Sequence, residues 1–255
     1  MKYWAEPGAY LHAIVRGDSA LLIVEPDNTS VRIQRPLGPE GFALLREELP
    51  RWRDRTGILL AGLRESDVGA VALRLGDRPP FPPSRDEVAI TDLSAFDPTL
   101  AGRDLKTLRA SVARAERAGY IVRRYDPPRD VEDALGLYEA WTRHRPRQHV
   151  DWIPAFIKES GEVPGLLGLV GEKNGTISAV HLAVTSGTYA YQAVGLNDRS
   201  TEQVSELVDF RMLCALRETG VTRVDWGVSP AAGVRAYKEK FRPAWESFMT
   251  VWLPS

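Results

Sequence analysis

Four prolines within five residues, at positions 79, 80, 82 and 83, divide this chain in two. Proline has no amide donor and a fixed φ, so neither a helix nor an inner strand can run through Arg78-Pro79-Pro80-Phe81-Pro82-Pro83-Ser84. The 255 residues therefore read as two units, 1–85 with this stiff linker at its end and 86–255. With 44% hydrophobic residues, each has enough apolar side chains for a core of its own.

In the first unit, apolar runs at Tyr10 to Val15, Ala20 to Val24 and Ser30 to Ile33 are separated by Gly17-Asp18 and Pro26-Asp27-Asn28, the pattern of an antiparallel meander. Phe42, Leu44, Leu45, Leu49 and Trp52 recur at helical spacing, and strands are expected at Gly57 to Leu63 and Val68 to Leu75. The second unit opens with a helix from about Gly102 to Ala118, stopped by Gly119. A strand at Tyr120 to Arg124 and helices at Val131 to Arg143 and Trp152 to Lys158 follow. Leu166 to Val170 and Ile177 to Thr185 flank Lys173-Asn174-Gly175, whose Asn-Gly pair tolerates the positive φ of a tight hairpin. Tyr189 to Leu196, a helix from Glu202 to Thr219, a strand from Val221 to Val228, a short tail helix and a strand from Ser247 to Leu253 complete the series.

Charge and cysteine content remove several function classes. A net charge of −1 gives no global attraction to polyanions, so any nucleic acid must be held by a local cluster. A lone Cys214 excludes an internal disulfide, and four scattered histidines have no metal-ligand spacing, so no metal is expected. The N-terminus lacks the apolar core of a signal peptide and no run of about 18 apolar residues is present; a soluble, cytoplasmic protein without membrane insertion is the expectation.

The element order of the second unit resembles the GNAT acyltransferase core, and the first unit looks like a truncated copy. The expected fold class is thus α+β, a GNAT-like mixed sheet flanked by helices and preceded by a truncated GNAT-like half. Within Arg103 to Phe241, three motifs resemble the Fem family of aminoacyl-tRNA-dependent peptidyltransferases and related lipid-modifying aminoacyltransferases. These are the basic helix, glycine and strand Leu108 to Tyr120; the aromatic strand Tyr189-Ala190-Tyr191-Gln192-Ala193-Val194-Gly195; and the tail. In the tail, Asp225-Trp226-Gly227 leads through Ser229-Pro230 to the helix Tyr237-Lys238-Glu239-Lys240-Phe241. The sequence departs from the family at Arg242, where the family has a glycine.

Ordinary acetyltransferases hold a coenzyme A pyrophosphate on a glycine-rich turn at the amino end of the long helix. Here that turn reads Asn197-Asp198-Arg199-Ser200-Thr201-Glu202-Gln203, without glycine and with two acids, while Ser200 or Thr201 suits a helix cap. Coenzyme A is a poor fit. The resemblance implies aminoacyl-tRNA as co-substrate, no further cofactor, and Lys238 as the cation that neutralises charge near the terminal adenosine or on the developing oxyanion. Aminoacyl transfer needs no protein nucleophile, in keeping with Cys214 on the buried side of a helix and with no recognisable Ser-His-Asp arrangement. Asp225 ends a strand beside the tail loop and is a candidate to orient the acceptor amine, or else a cap or partner of Arg223 or Arg235. Gln192 faces either cleft or solvent and is assigned substrate orientation. Tyr191, Ser229, Tyr237 and Phe241 are candidate substrate contacts. His181, inside an apolar strand, reads as a core histidine rather than a general base.

A polynucleotide also needs a contact surface. Residues 101–124 carry seven basic side chains against two acidic ones, and Arg143-His144-Arg145-Pro146-Arg147 adds a second cluster. Arg109, Arg114, Arg117, Arg143 and Arg145 are the candidate phosphate contacts, and Trp141 and Trp152 the candidate stacking surfaces. The reading is an aminoacyltransferase that joins a tRNA-borne amino acid to the amine of a small, free or carrier-bound peptide. The alternatives are an acyl-CoA-dependent N-acyltransferase and a non-catalytic RNA-binding module.

Overall fold

The computed structural model describes residues 2–6, 9–16, 19–25, 30–33, 40–52, 57–63, 68, 84–143, 152–198, 203–229 and 232–254. Packing divides the chain into two units, one of Met1–Ala89, Val228–Pro230 and Trp245–Ser255, the other of Ile90–Gly227 and Ala231–Ala244. The division differs from the sequence reading, which places the last strand in the second unit.

In the first unit, β1 (Lys2–Glu6), β2 (Ala9–Arg16), β3 (Ser19–Glu25) and β4 (Ser30–Ile33) form an antiparallel run, and α1 (Gly41–Glu48) crosses over to β5 (Gly57–Leu63), parallel to β4. Among these, β1 has no counterpart in the sequence reading. The alternation expected of half-buried strands places Leu21, Ile23, Ile33, Ile58 and Leu60 against Leu44, Leu45 and Leu49, and a register shift between Leu60 and Leu63 brings Leu63 into the same core. Val251 of the last strand joins this core, and Thr250 donates to Asp86 at 2.6 Å. The strand expected at Val68 to Leu75 lies outside the described residues except for Val68, which packs against the same core.

β6 (Ser84–Asp92) begins directly after the prolines, in a stretch to which the sequence reading assigns no element. Its charged ends hide a strand whose centre, Val88, Ala89 and Ile90, is fully buried. α2 (Lys106–Arg117) then ends at Gly119, at φ +88°, and β7 (Ile121–Arg124) follows. α3 starts earlier than its apolar pattern suggests, at Pro127 (Pro127–Arg143), with both prolines in the first turn, where missing amides cost nothing. Asp130 fixes that turn: it accepts from the Asp126 amide at 2.8 Å and from Arg123 at 2.7 and 3.0 Å. Burial alone would raise its carboxyl, but these donors and Arg129 hold it down at about 2.

After α4 (Trp152–Lys158), β8 (Leu166–Lys173) and β9 (Thr176–Ser186) form the Asn174-Gly175 hairpin, both turn residues having positive φ as their composition requires. β10 (Tyr189–Asn197) runs antiparallel to β9; α5 (Val204–Glu218) crosses over to β11 (Arg223–Val228), parallel to β10. The strand order in this unit is β6-β11-β10-β9-β8-β7. α5 lies on β8, β9 and β10 and packs on α2, while α3, with α4 against it, also covers β9 and β10. Gly171 permits the close approach of α5, because a Cβ there would stand 2.6 Å from a methyl of Val204. The tail helix α6 (Ala232–Glu239) and β12 (Ala244–Pro254) end the chain.

Candidate active site

The site is built where a parallel strand pair comes apart. β10 and β11 pair through Tyr189–Arg223, Ala190–Val224 and Tyr191–Asp225, and no further rung follows although both strands continue. On its other side β10 shifts register against β9 between Gln192 and Val194, leaving Ala193 as the extra residue of a bulge, which bends the strand away. Gln192 is therefore the first residue past the fork on one strand and Trp226 on the other.

At the end of β11, Asp225 is fully buried. It accepts from the Gly227 amide at 2.7 Å and from the Tyr189 hydroxyl at 3.3 Å. Gly227 turns the chain at φ +69°, with the Tyr191 ring beside it. Lys238 reaches back from α6 and donates to the carbonyls of Trp226 at 2.6 Å and Gly227 at 2.9 Å. Only 6% of Lys238 is exposed, and this burial pulls its ammonium down to about 8 against the opposing pull of Asp225 and Asp209. Phe241 is enclosed between Trp226 (4.9 Å) and Tyr237 (5.8 Å), so it holds α6 against β11 rather than lining a substrate surface. The Trp226 indole donates to Thr91 at 2.8 Å, fixing the floor.

Behind the fork lies a polar cluster whose centre the sequence reading missed. Asp209 of α5, 1% exposed, accepts from the Gln192 amide at 2.8 Å, from the Tyr237 hydroxyl at 2.5 Å and from Nδ1 of His181. Nε2 of His181 faces the Ser205 hydroxyl at 3.5 Å. A Ser-His-Asp grouping that the sequence reading found absent is thus present, but buried, with His181 only 3% exposed as a satisfied interior histidine. Burial and the Asp209 carboxylate hold the Tyr237 phenol well above its usual range, so it remains a donor. Alongside, Lys240 pairs with the buried Glu206 at 2.6 Å and stands 5.5 Å from the centre of the Tyr237 ring. The available signal was Ser205, Glu206 and Asp209, three polar residues on a helix otherwise buried with apolar ones, at spacings of three and four that put them on one face.

Other candidates are spread more widely. Arg109 turns its guanidinium onto the carbonyls of Leu100 and Gly102, bracing the loop before α2. Arg123 is taken up by Asp130 and Glu172. Arg114 and Arg117 are exposed on α2 and Arg143 at the end of α3, while Trp141 stacks on Tyr138 at 6.3 Å. Arg145 lies outside the described residues, as do Ser200 and Thr201; α5 instead starts behind Gln203, left-handed at φ +69° and without a side-chain cap. The Ser229 hydroxyl is buried without a hydrogen bond among the described residues. Burial pushes the Cys214 thiol up, which keeps it unreactive. A concavity of about 510 Å³ lies elsewhere, against β7, between Tyr120, Ile121, Arg124, Leu207 and Arg211. Among the described residues no group of three or more His, Cys, Asp or Glu side chains is placed to hold a metal, and no helix is long and apolar enough to cross a membrane.

Three solved structures share this architecture. The C-terminal domain (DUF2156) of a putative lysylphosphatidylglycerol synthetase from Agrobacterium fabrum superposes with a TM-score of 0.68 at 19% identity, covering 96% of this chain and 84% of that one. FemX gives 0.62 at 13% identity, covering 95% and 88%, and a tandem GNAT protein from the clavulanic acid biosynthesis pathway gives 0.56 at 18%, covering 98% and 85%. At these identities the likeness is one of fold, and the fold is the expected α+β GNAT-like mixed sheet flanked by helices. A comparison with curated proteins returns no match. Residues 3–252, nearly the whole chain, match the family described as "Phosphatidylglycerol lysyltransferase, C-terminal", and the chain belongs to that family of transferase domains.

Proposed function

We propose that this chain is an aminoacyltransferase that takes an amino acid from aminoacyl-tRNA, with the fork between β10 and β11 as its reaction site. The observation that carries the reading is Lys238, a buried ammonium anchored by two carbonyls at the point where the strands part. In the reaction, the acceptor's lone pair attacks the ester carbonyl, the bond from that carbon to the ribose oxygen breaks, and the ribose oxygen leaves with its electrons and takes up a proton as the acceptor gives one up. Negative charge develops first on the carbonyl oxygen and then on the departing ribose oxygen. A fixed cation in a site shielded from water stabilises both, lowering the barrier by about 3 kcal/mol. The Tyr237 hydroxyl, its proton committed to Asp209, holds α6 in place so that Lys238 faces the fork. The exposed arginines 114, 117 and 143 supply phosphate contacts for the polynucleotide.

The sequence reading favours the amine of a small, free or carrier-bound peptide as acceptor. The family's description instead makes phosphatidylglycerol the first acceptor to try. Its glycerol hydroxyl lies in the headgroup layer, which a domain can reach from water without spanning the bilayer. A peptide amine remains the second reading, supported by the likeness to FemX.

The test is an assay with a pool of labelled aminoacyl-tRNAs against phosphatidylglycerol vesicles and, separately, peptide amines. Label should move to one of the two acceptors and should not when Lys238→Ala replaces the native chain. Transfer from an acyl-coenzyme A with none from tRNA would replace this reading by the N-acyltransferase one. Binding of tRNA without any transfer would leave only an RNA-binding module.

A further inference from the structure

A carboxylate buried under the fork determines which end of a neighbouring amide is offered to the ligand. Asp209 receives hydrogen bonds from three elements at once, His181 on β9, Gln192 on β10 and Tyr237 on α6. A carboxylate has only acceptor sites, so the amide of Gln192 must present its NH₂ to Asp209; the flipped amide would set two acceptor oxygens against each other. Nε2 lies 2.8 Å from Asp209 Oδ1 and 3.4 Å from Nδ1 of His181. Oε1 therefore points away from the cluster. Gln192 is only half-buried, and among the described residues no hydrogen bond to Oε1 is present, so this oxygen is available at the first residue beyond the last β10–β11 rung.

We propose that Asp209 is a positioning residue that locks the Gln192 amide with its carbonyl oxygen outward, and that this oxygen receives the α-ammonium of the aminoacyl group being transferred. The inference rests on the aminoacyltransferase reading and adds a substrate rule to it: the donor must carry a free α-amino group. An amide oxygen backed by a carboxylate attracts a cationic N–H donor more strongly than the single neutral N–H of an N-acylated group, and it offers nothing to a purely apolar acyl chain. The attacking acceptor is not the better occupant, since an amide oxygen is too weak a base to take the proton that an attacking nucleophile releases. Lys238 and Gln192 then divide the ester between them, cation to developing oxyanion and acceptor to ammonium.

The experiment compares one tRNA pool charged normally with the same pool N-acetylated after charging, using whichever acceptor the wild-type chain accepts. Wild type should prefer the free-amino donor by on the order of tenfold or more, because acetylation removes the positive charge and leaves one neutral N–H for the site's acceptor. Gln192→Met, similar in size but without the acceptor oxygen, should lose that preference by slowing the free-amino donor alone; the hydrogen bond it no longer donates to buried Asp209 should lower the thermal midpoint, which does not enter the ratio. Asp209→Asn, whose amide can both donate and accept, should free the Gln192 amide to rotate and reduce the same ratio, chiefly through KM. Should Asp209→Asn fail to fold, the half-exposed Gln192 variant still decides the matter. Equal use of both donors by wild type, or equal loss of both in Gln192→Met, would overturn the inference while leaving the aminoacyltransferase reading intact. Absence of transfer from any aminoacyl-tRNA would instead remove that reading, and this inference with it.

Discussion

Tyr237 and Asp209, 28 residues apart in sequence, are joined by a hydrogen bond of 2.5 Å that ties the tail helix to the long helix α5. The next residue, Lys238, points to the end of β11 instead, donating to Trp226 and Gly227. Consecutive side chains of one short helix are thus anchored to different elements, and α6 is held against rotation about its axis. For an eight-residue helix this anchoring replaces the stability that length alone does not supply.

Replacing Lys238 by Met should slow transfer by about a hundredfold or more. The fold should survive, because the methionine covers the same apolar surface and removes a buried charge. Single-turnover rates with a parallel thermal melt would separate the two effects; normal turnover would remove the catalytic assignment.

The pH dependence of Lys238 has a definite sign in both activity and stability. Its ammonium is held at about 8, below the ordinary 10.5, so a rate that needs the charged form should fall as pH rises through about 8. The unfolded chain binds the proton more tightly, so this residue's contribution to stability should grow between pH 8 and 10.5. A pH–rate profile and denaturant midpoints over this range would test both, and both trends should vanish in Lys238→Met.

Asp130 acts at the opposite end of the scale. Its folded-state pKa is depressed to about 2 from 3.8, so the stability it contributes is complete above 3.8 and is lost as pH falls through that window to about 2. Asp130→Asn should flatten the acid limb of the unfolding curve. It should also lower stability at neutral pH, because it leaves Arg123 half-paired on its way to Glu172.

Arg242 occupies a left-handed conformation, φ +55°, at the position where the resemblance leads one to expect glycine. Its ion pair with Asp104, 3.1 Å between two exposed side chains, contributes little. Arg242→Gly should therefore raise stability by about 1 kcal/mol by relieving the side-chain strain. The check is the shift in thermal midpoint.

Phosphate binding by α2 predicts a salt-dependent affinity. Arg114→Glu with Arg117→Glu should raise the Kd for tRNA and flatten its dependence on salt, by a slope of about 1 for each phosphate that is no longer neutralised. Transfer at saturating tRNA should be little changed. A slope equal to that of wild type would assign the polynucleotide to another surface.

Elements whose signals are local were legible: the Asn174-Gly175 hairpin, the Gly119 stop, α4 from Trp152 to Lys158 and the tail motif with its lysine. Those that depend on partners were not. β6 is flanked by Arg85, Asp86, Glu87 and Asp92 and becomes a strand only because neighbouring strands accept it. The Asp209 cluster was invisible for a similar reason: its donors come from two strands and a helix whose register no spacing fixes. Gln192 and Tyr237 were singled out from motif position, but the carboxylate that joins them reads, in Val208-Asp209-Phe210, as an interruption of an apolar helix. Phe241, singled out in the same way, is committed to packing between two aromatic rings.

The extra residue at Ala193 determines what stands opposite His181. With the insertion, Gly195 is the partner of His181 and Val194 that of Leu182. Were Ala193 instead paired with Leu182 in regular register, Val194 would come into line with the imidazole and fill with two methyl groups the room in which Gln192 and His181 now meet. A single supernumerary residue thus acts as a phase shifter, and the polar pocket persists because the β10 alternation slips by half a period at that point.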